Sequence, residues 1–182
     1  MPAVADKDSS ESDRNRIFAL STMYSKEEIK ILRKNFWDTF GKRCEIVPEL
    51  RHRKKKWMLH RTRIPNVALK FEVGRTDAKV MIEISHRSEN RRIFVFETLQ
   101  KYRLLLEEGF ENGLEWEFLY EREESGQEVC RIYTSLPGAD FHRQHTWPDI
   151  YNFFIENMLK LERNFLEIHD VLQEEIRSYD AS

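Results

Sequence analysis

A basic stretch at residues 51–63 is the densest group of side chains whose types and spacing could do chemistry. Cationic side chains neutralise phosphates, and an aromatic ring among them can stack on a base. Trp57 and His60 are interleaved with the cations here. The pattern therefore predicts a nucleic-acid-binding surface. Its predicted residues are Arg51, Arg53, Lys54, Lys55, Lys56, Trp57, Arg61 and Arg63.

An acidic run in the second half of the chain offers another interpretation of the basic stretch. Opposite charge blocks can face one another within a monomer or across a dimer. Sequence alone leaves this pairing and nucleic-acid binding both open. The acidic run consists of Glu107, Glu108, Glu111, Glu115, Glu117, Glu121, Glu123, Glu124 and Glu128.

The element order α-β-β-β-α-β resembles the core of restriction-endonuclease-like nucleases, so their metal site is worth testing. That site needs an Asp on one strand and Glu-x-Lys on its neighbour, because two carboxylates hold the metal while the lysine assists the attacking water. Here Asp77 falls in a turn, and the tripeptide that begins at Glu83 lacks the lysine. Lys70 and Glu72 stand in the reverse order. We expect cross-strand charge pairs at these positions, with a degenerate nuclease-like fold as a distant alternative.

Other catalytic or metal-binding patterns are weak. His142 and His145 have a spacing that metals accept in loops, but no third ligand follows at a matching interval. His60 and His86 flank the first hairpin, and nothing brings a nucleophile to either. The sequence has neither a Gly-x-Ser-x-Gly elbow nor a Gly-rich phosphate loop. The prediction is a non-catalytic protein without a metal or cofactor.

Composition bounds the class of protein. A chain of 182 residues fits one domain, and its net charge of −2 excludes an obligately basic packing protein. Cys44 and Cys130 are the only cysteines, which is typical of a reduced cytosolic chain. No apolar run approaches about 18 residues, and the N-terminus lacks a basic-then-apolar signal pattern. We expect a cytoplasmic protein with no membrane partner.

The elements that must position these side chains follow from periodicity. Residues 1–22 are polar and predict a disordered or loosely docked tail ahead of a single domain at 23–182. A Ser-x-x-Glu capping box at Ser25 predicts a helix over 26–40 that ends at Gly41. Further elements are predicted as a strand at 56–61, a helix from Ser88 or Asn90 to about 108, and a second hairpin at 115–121 and 129–134.

The clearest strand signal is a hairpin at 67–73 and 78–85, where apolar and polar residues alternate on both arms. Lys70 can meet Glu83 and Glu72 can meet Lys79 across the strands.

A long amphipathic helix closes the chain, with Thr146 as its N-cap and Pro148 in its first turn. Thirty residues would span about 45 Å, against a domain diameter of about 40 Å. Either the helix bends, breaks or folds back on its own core, or its far end overhangs the domain. The overhang is the preferred prediction, and it implies self-association into a homo-oligomer. The predicted self-association residues are Leu161, Phe165, Ile168, Leu172 and Ile176.

Together the elements read α-β-β-β-α-β-β-α. This order predicts an α+β, two-layer fold in which helices cover one face of an antiparallel sheet of about five strands.

Several short motifs resemble a bacterial family of uncharacterised domains of unknown function, over residues 23–178. They are Met23 to Glu28, Phe36-Trp37, Phe40-Gly41, Lys56-Trp57, Arg131 to Tyr133, Thr146-Trp147 and Phe153-Phe154. In longer relatives the domain sits behind nuclease-like or restriction-associated modules. The motifs of this resemblance are scaffold residues, so it assigns no catalytic group. The function predicted from the whole sequence is an intracellular, non-catalytic accessory or interaction domain that self-associates, and the alternative is nucleic-acid binding by the basic stretch.

Overall fold

The first long helix begins at a capping box, as the sequence predicts. The structure, a computed structural model, describes residues 24–182, so the tail predicted at 1–22 lies outside the described residues. Ser25 Oγ accepts a hydrogen bond from the Glu28 N–H at 3.2 Å, and Glu28 Oε2 accepts one from the Ser25 N–H at 2.7 Å. Helix α1 runs over Lys26–Glu45 and passes the predicted end at Gly41. A helical glycine costs only about 1 kcal/mol, and buried Phe40 and Cys44 hold the helix on either side.

A short helix α2 follows at Pro48–Arg51, and an irregular segment then leads to the sheet. The sheet has four antiparallel strands, which are β1 at Val67–Val73, β2 at Asp77–Ile84, β3 at Glu115–Glu121 and β4 at Glu128–Pro137. Their spatial order is β1-β2-β4-β3. The α+β class and both hairpins are confirmed.

The strand predicted at 56–61 does not form, so the sheet has four strands and not about five. Leu59 has a φ of 42°, and Arg63, two residues beyond the predicted strand, has a φ of 61°. The left-handed conformation of Leu59 interrupts a strand within the predicted range. A single backbone hydrogen bond from the Leu69 N–H to the Leu59 carbonyl, at 3.1 Å, joins this segment to the outer edge of β1.

The helix predicted from Ser88 or Asn90 to about 108 is divided in two. Helix α3 spans Glu89–Lys101 and helix α4 spans Arg103–Leu106. Ser88 is the N-cap of α3, and its side chain accepts a hydrogen bond from the Arg91 N–H. The break falls at Tyr102, where ψ is 18°.

A 3₁₀ turn at Gln144–Thr146 leads into the last helix, α5, at Trp147–Asp180. Its far end packs on α3, where Tyr179 stacks on Phe94 with ring centroids 4.0 Å apart and Glu175 accepts a hydrogen bond from Lys101 at 2.6 Å. The predicted overhang is therefore wrong. No helix among the described residues is long and apolar enough to cross a membrane.

The apolar stripe of α5 is buried by the chain's own core. The five residues predicted for self-association are at most 4% exposed, and they are Leu161, Phe165, Ile168, Leu172 and Ile176. Self-association of the protein stays a prediction, but this stripe is not available to a second copy of the folded chain.

Helices cover one face of the sheet. Phe71 of β1 contacts Phe40 of α1 and Phe154 of α5, and Trp116 of β3 contacts Phe96 of α3. The opposite face carries side chains that pair along the sheet. The predicted pairs Lys70–Glu83 and Glu72–Lys79 both form there.

Candidate nucleic-acid interface

The segment at residues 52–66, called here the basic loop, connects α2 to β1 without regular secondary structure. Three polar contacts fix its second half. Thr62 Oγ1 donates a hydrogen bond to the Val67 carbonyl at 2.6 Å, His169 Nε2 of α5 lies 2.7 Å from the Thr62 carbonyl oxygen, and Gln173 Nε2 donates to the Arg63 carbonyl at 3.1 Å. The basic loop is therefore held between the edge of the sheet and α5.

Glu162 fixes the first half of the basic loop. Glu162 lies on α5 and is only 3% exposed. Oε1 accepts a hydrogen bond from the Met58 N–H at 2.6 Å, and Oε2 accepts one from Arg53 Nη1, also at 2.6 Å. A buried carboxylate needs such partners, because an unpaired charge in this environment is costly.

Trp57 belongs to the core, which corrects its predicted role in stacking on a base. It is 8% exposed. Its ring lies edge-on to Phe71, with centroids 5.4 Å apart, and parallel to Phe40 at 6.4 Å. Most of the surface of this ring is therefore closed to a base in the folded protein.

The predicted cations fall into two groups. The first group is engaged by the protein itself: Arg53 pairs with Glu162, Lys56 Nζ donates to the Leu50 carbonyl at 3.1 Å, and Arg61 Nη2 donates to the Trp57 carbonyl. The second group is exposed and forms no salt bridge to any carboxylate of residues 24–182. Its members are Arg51, Lys54, Lys55 and Arg63.

Two clefts flank the basic loop. The first has a volume of about 610 Å³ and is lined by Arg53, Lys55 and Arg61 together with Glu162 and Leu166 of α5. The second, of about 660 Å³, reaches the end of the sheet. Its charged residues beyond the loop are Lys70, Glu83 and Arg122.

The two clefts adjoin, because His60 and Arg63 line both. Six Lys or Arg side chains line the pair of clefts, against the two carboxylates of Glu83 and Glu162. Clefts lined by charges of one sign concentrate ions of the opposite sign. The pair of clefts therefore favours an anionic ligand.

The acidic run does not neutralise the basic stretch within the part of the chain that the structure describes. Its salt bridges go elsewhere, from Glu107 to Arg103 and from Glu128 to Arg92. Glu117 pairs with Arg131 at 2.7 Å. The predicted pairing of the two blocks inside one chain is absent from residues 24–182, while pairing between subunits stays a prediction.

The carboxylates considered for a nuclease site are engaged by cations. Glu83 pairs with Lys70 and Arg122, and Asp77 pairs with Lys79. Within residues 24–182 no group of three His, Cys, Asp or Glu side chains is placed to hold a metal ion.

His142 and both cysteines lie in environments that disfavour their charged forms. Burial lowers the pKa of His142, whose ring lies edge-on to Tyr24 at 5.2 Å. Both cysteines are buried and free. Burial raises the pKa of the Cys44 thiol and raises that of Cys130 to about 11. Neutral, buried thiols are poor nucleophiles.

Sequence patterns gave no signal for Arg122 or Glu162, and they placed Lys70 only in a cross-strand pair. The contact from Arg122 to Glu83 spans 39 residues of chain, and those of Glu162 with Met58 and Arg53 span 104 and 109 residues. Folding alone brings these groups to the basic loop.

Comparison with known proteins places the chain in a family. No curated protein matches it, and no solved structure does. The model of a family described as "Domain of unknown function (DUF4268)" matches residues 32–169, a range that includes the basic loop, the whole sheet and most of α5. Because this match covers well over half of the sequence, the chain belongs to the DUF4268 family of domains of unknown function.

Proposed function

We propose that the protein is a non-catalytic binding module that holds the sugar-phosphate backbone of a nucleic acid on the basic loop. The observation that carries this proposal is a group of exposed cations, on the loop and at its N-terminal side, that form no salt bridge within residues 24–182. These are Arg51, Lys54, Lys55 and Arg63.

The fixed path of the loop backbone supports the proposal. Three side chains of α5 contact the loop backbone at three points. Glu162 contacts Met58, His169 contacts Thr62, and Gln173 contacts Arg63. A site whose backbone is already ordered loses little conformational entropy on binding. Only the ends of the lysine and arginine side chains have to become ordered.

The lining of the clefts favours phosphates over bases. Trp57 is buried, and the side chains that line the clefts include no other Trp, Tyr or Phe. Base stacking therefore contributes little, and neither a helix nor a strand projects from the loop to enter a DNA groove. Binding through phosphate contacts is strongly dependent on salt and nearly independent of sequence.

The proposal assigns no reaction to this surface. Both carboxylates in the clefts are held by arginine or lysine side chains, so neither is free to act as a base or to hold a metal. An accessory role agrees with the resemblance to domains attached to nuclease-like modules, since a backbone-binding domain would hold the substrate for a catalytic neighbour. The two buried, free cysteines support a cytoplasmic location for such a domain.

Fluorescence anisotropy with a labelled duplex DNA and a labelled single-stranded RNA tests the proposal. Each phosphate contact contributes about 0.9 to the slope of log affinity against log salt. With at least four contacts on duplex DNA, affinity falls at least about 100-fold between roughly 50 and 200 mM salt. The double variant Lys54→Ala/Lys55→Ala lowers the magnitude of this slope by about 1.8.

A matched control replaces Lys26 and Lys30, two exposed lysines of α1, with alanine. This control keeps the slope and the affinity of the unmodified protein. Absence of salt-dependent binding to DNA and RNA contradicts the proposal, as does an equal loss in the control. A cleavage assay with Mg²⁺ or Mn²⁺ is expected to stay blank, and a specific cut would favour the nuclease-like alternative.

A further inference from the structure

We infer that Lys70 and Arg122 form a second phosphate-binding subsite, which extends the interface from the basic loop to the end of the sheet. The inference rests on the proposed function and adds two residues that lie outside the basic stretch. The ligand is a phosphodiester of the same nucleic-acid strand that contacts Arg63, because Arg63 lines the cleft in which Lys70 and Arg122 lie.

Both cations converge on one buried carboxylate. Glu83 is 5% exposed, and its Oε1 accepts hydrogen bonds from Lys70 Nζ and from Arg122 Nη2. In the register of the hairpin Lys70 lies opposite Met81 and Glu83 lies opposite Ala68, so the pair is diagonal across β1 and β2. One carboxylate serves two cations and leaves a net positive charge at the cleft.

Arg122 is fixed by the turn of the second hairpin. Its Nη1 donates a hydrogen bond to Gln127 Oε1 at 2.8 Å, and its backbone N–H donates one to the Gln127 carbonyl at 3.0 Å. Gln127 Nε2 in turn donates to the Ser85 carbonyl at 3.0 Å. The guanidinium is therefore held over the cleft by contacts that a bound phosphate does not have to break.

Lys70 and Arg122 remain accessible despite these contacts. Their side chains are 29% and 30% exposed, whereas that of Glu83 is 6% exposed. A ligand that enters the cleft thus meets the two cations first. A phosphate oxygen that lies between them gains charge-assisted hydrogen bonds while Glu83 keeps both side chains in position.

Because Arg63 lines both clefts, a ligand that carries a row of phosphates fits them better than a single anion does. An isolated anion would occupy one cleft only, whereas a nucleic-acid strand presents phosphates at regular spacing along both clefts. The second cleft thus continues the path that begins at Lys55 and Arg53 in the first.

The same salt titration of duplex DNA tests this subsite with the single variants Lys70→Gln and Arg122→Gln. Each removes about one phosphate contact and lowers the magnitude of the slope by about 0.9. The fall in affinity between roughly 50 and 200 mM salt then becomes about 3.5-fold smaller for each variant. Arg122→Lys keeps the charge and is expected to keep the slope.

Arg143→Gln is the matched control, because Arg143 is an arginine outside both clefts that likewise pairs with a buried carboxylate, that of Asp140. It leaves the slope unchanged. Slopes that stay unchanged in Lys70→Gln and Arg122→Gln, while Lys54→Ala/Lys55→Ala lowers the slope, overturn the subsite and leave the proposed function standing. Equal effects of Arg122→Gln and Arg122→Lys also overturn it, since a loss of local structure would then be the cause.

Competition with inorganic phosphate distinguishes the two sources of a phosphate group. At matched ionic strength, inorganic phosphate should displace the labelled DNA no better than chloride does. Stronger displacement that disappears in Arg122→Gln would assign the cleft to a free phosphate and overturn its role in holding a strand. If the unmodified protein shows no salt-dependent binding at all, the proposed function itself fails.

Discussion

The Met58 N–H donates a 2.6 Å hydrogen bond to Oε1 of Glu162, which lies 104 residues further along the chain. The other oxygen of the same carboxylate accepts from Arg53. A single buried side chain in the middle of α5 thereby holds two points of an irregular segment. The first half of the basic loop owes its defined shape to this carboxylate and not to secondary structure of its own.

Replacement of Glu162 is expected to destabilise the protein. Glu162→Ala leaves the Met58 N–H without its acceptor and Arg53 without its counter-ion, at a cost of about 2–3 kcal/mol in the free energy of unfolding. Glu162→Gln retains an acceptor oxygen and costs about 1 kcal/mol. Urea denaturation measures both values. Glu167→Ala, an exposed position on the same helix, should change stability by less than about 0.5 kcal/mol.

Substitutions of Trp57 separate a core role from base stacking. Trp57→Phe keeps an aromatic ring against Phe40 and Phe71, and we expect nucleic-acid affinity to stay within about twofold, a change of about 0.4 kcal/mol. Trp57→Ala is expected to lower the free energy of unfolding by about 3–5 kcal/mol. Thermal denaturation and anisotropy check the two effects. A large affinity loss in Trp57→Phe without a loss of stability would restore the stacking role.

Neighbouring residues of α5 should respond differently to truncation. Leu172 is fully buried, whereas Val171 is 51% exposed. Leu172→Ala is expected to cost about 2–5 kcal/mol of stability because it leaves a cavity, and Val171→Ala about 0.5 kcal/mol or less. Denaturation measures the difference, and light scattering reports the oligomeric state of each variant. If Leu172→Ala separates subunits without loss of stability, the apolar stripe is an interface after all.

Stability is expected to fall as the pH drops below about 6.5, because His86 resists protonation in the folded state. Burial and the neighbouring Arg91 lower its pKa from 6.5, while Asp180 opposes the shift. A histidine whose pKa is lower in the folded protein contributes to stability at pH values above its pKa in the unfolded chain. That contribution is lost as the pH falls toward its pKa in the folded protein. Denaturant midpoints measured between about pH 7 and pH 5 follow this change.

His86→Gln should flatten part of this pH dependence. His142 also has a lowered pKa and accounts for a further part, so His142→Gln and the double variant complete the comparison. Glu107 and Glu175 also have lowered pKa values. Because the ordinary pKa of a glutamate is 4.5, their effect on the pH dependence of stability falls mainly at lower pH. An unchanged profile in the double variant would contradict the assignment to these two histidines.

Local patterns predicted the regular elements well where one face of an element is buried. The period-2 alternation of β1 and β2 specified their register, because a slip by one residue would expose the whole apolar face. The pairs Lys70–Glu83 and Glu72–Lys79 follow from that register. The same reasoning failed at 56–61, where the chain adopts a left-handed conformation at Leu59 that no alternation pattern reveals.

The length of α5 was equally misleading. A straight helix longer than the expected diameter of a domain suggested an overhang, but α3 extends the core along it. Phe94 and Lys101 of α3 cover the last turns of α5 at Tyr179 and Glu175. Which helix covers which is a property of tertiary packing and is not encoded in helix length.

By itself, the sequence determined the α+β class, both hairpins and the position of the cationic residues, since these depend on residue types at short spacing. Tertiary structure alone decided that Trp57 is buried, that Glu162 fixes the loop and that Arg122 lies beside Lys70 at the end of the sheet. The physical reason is the separation of the contacting residues along the chain. A side chain's partners across 39 to 109 residues depend on how whole elements pack, and no local pattern carries that information.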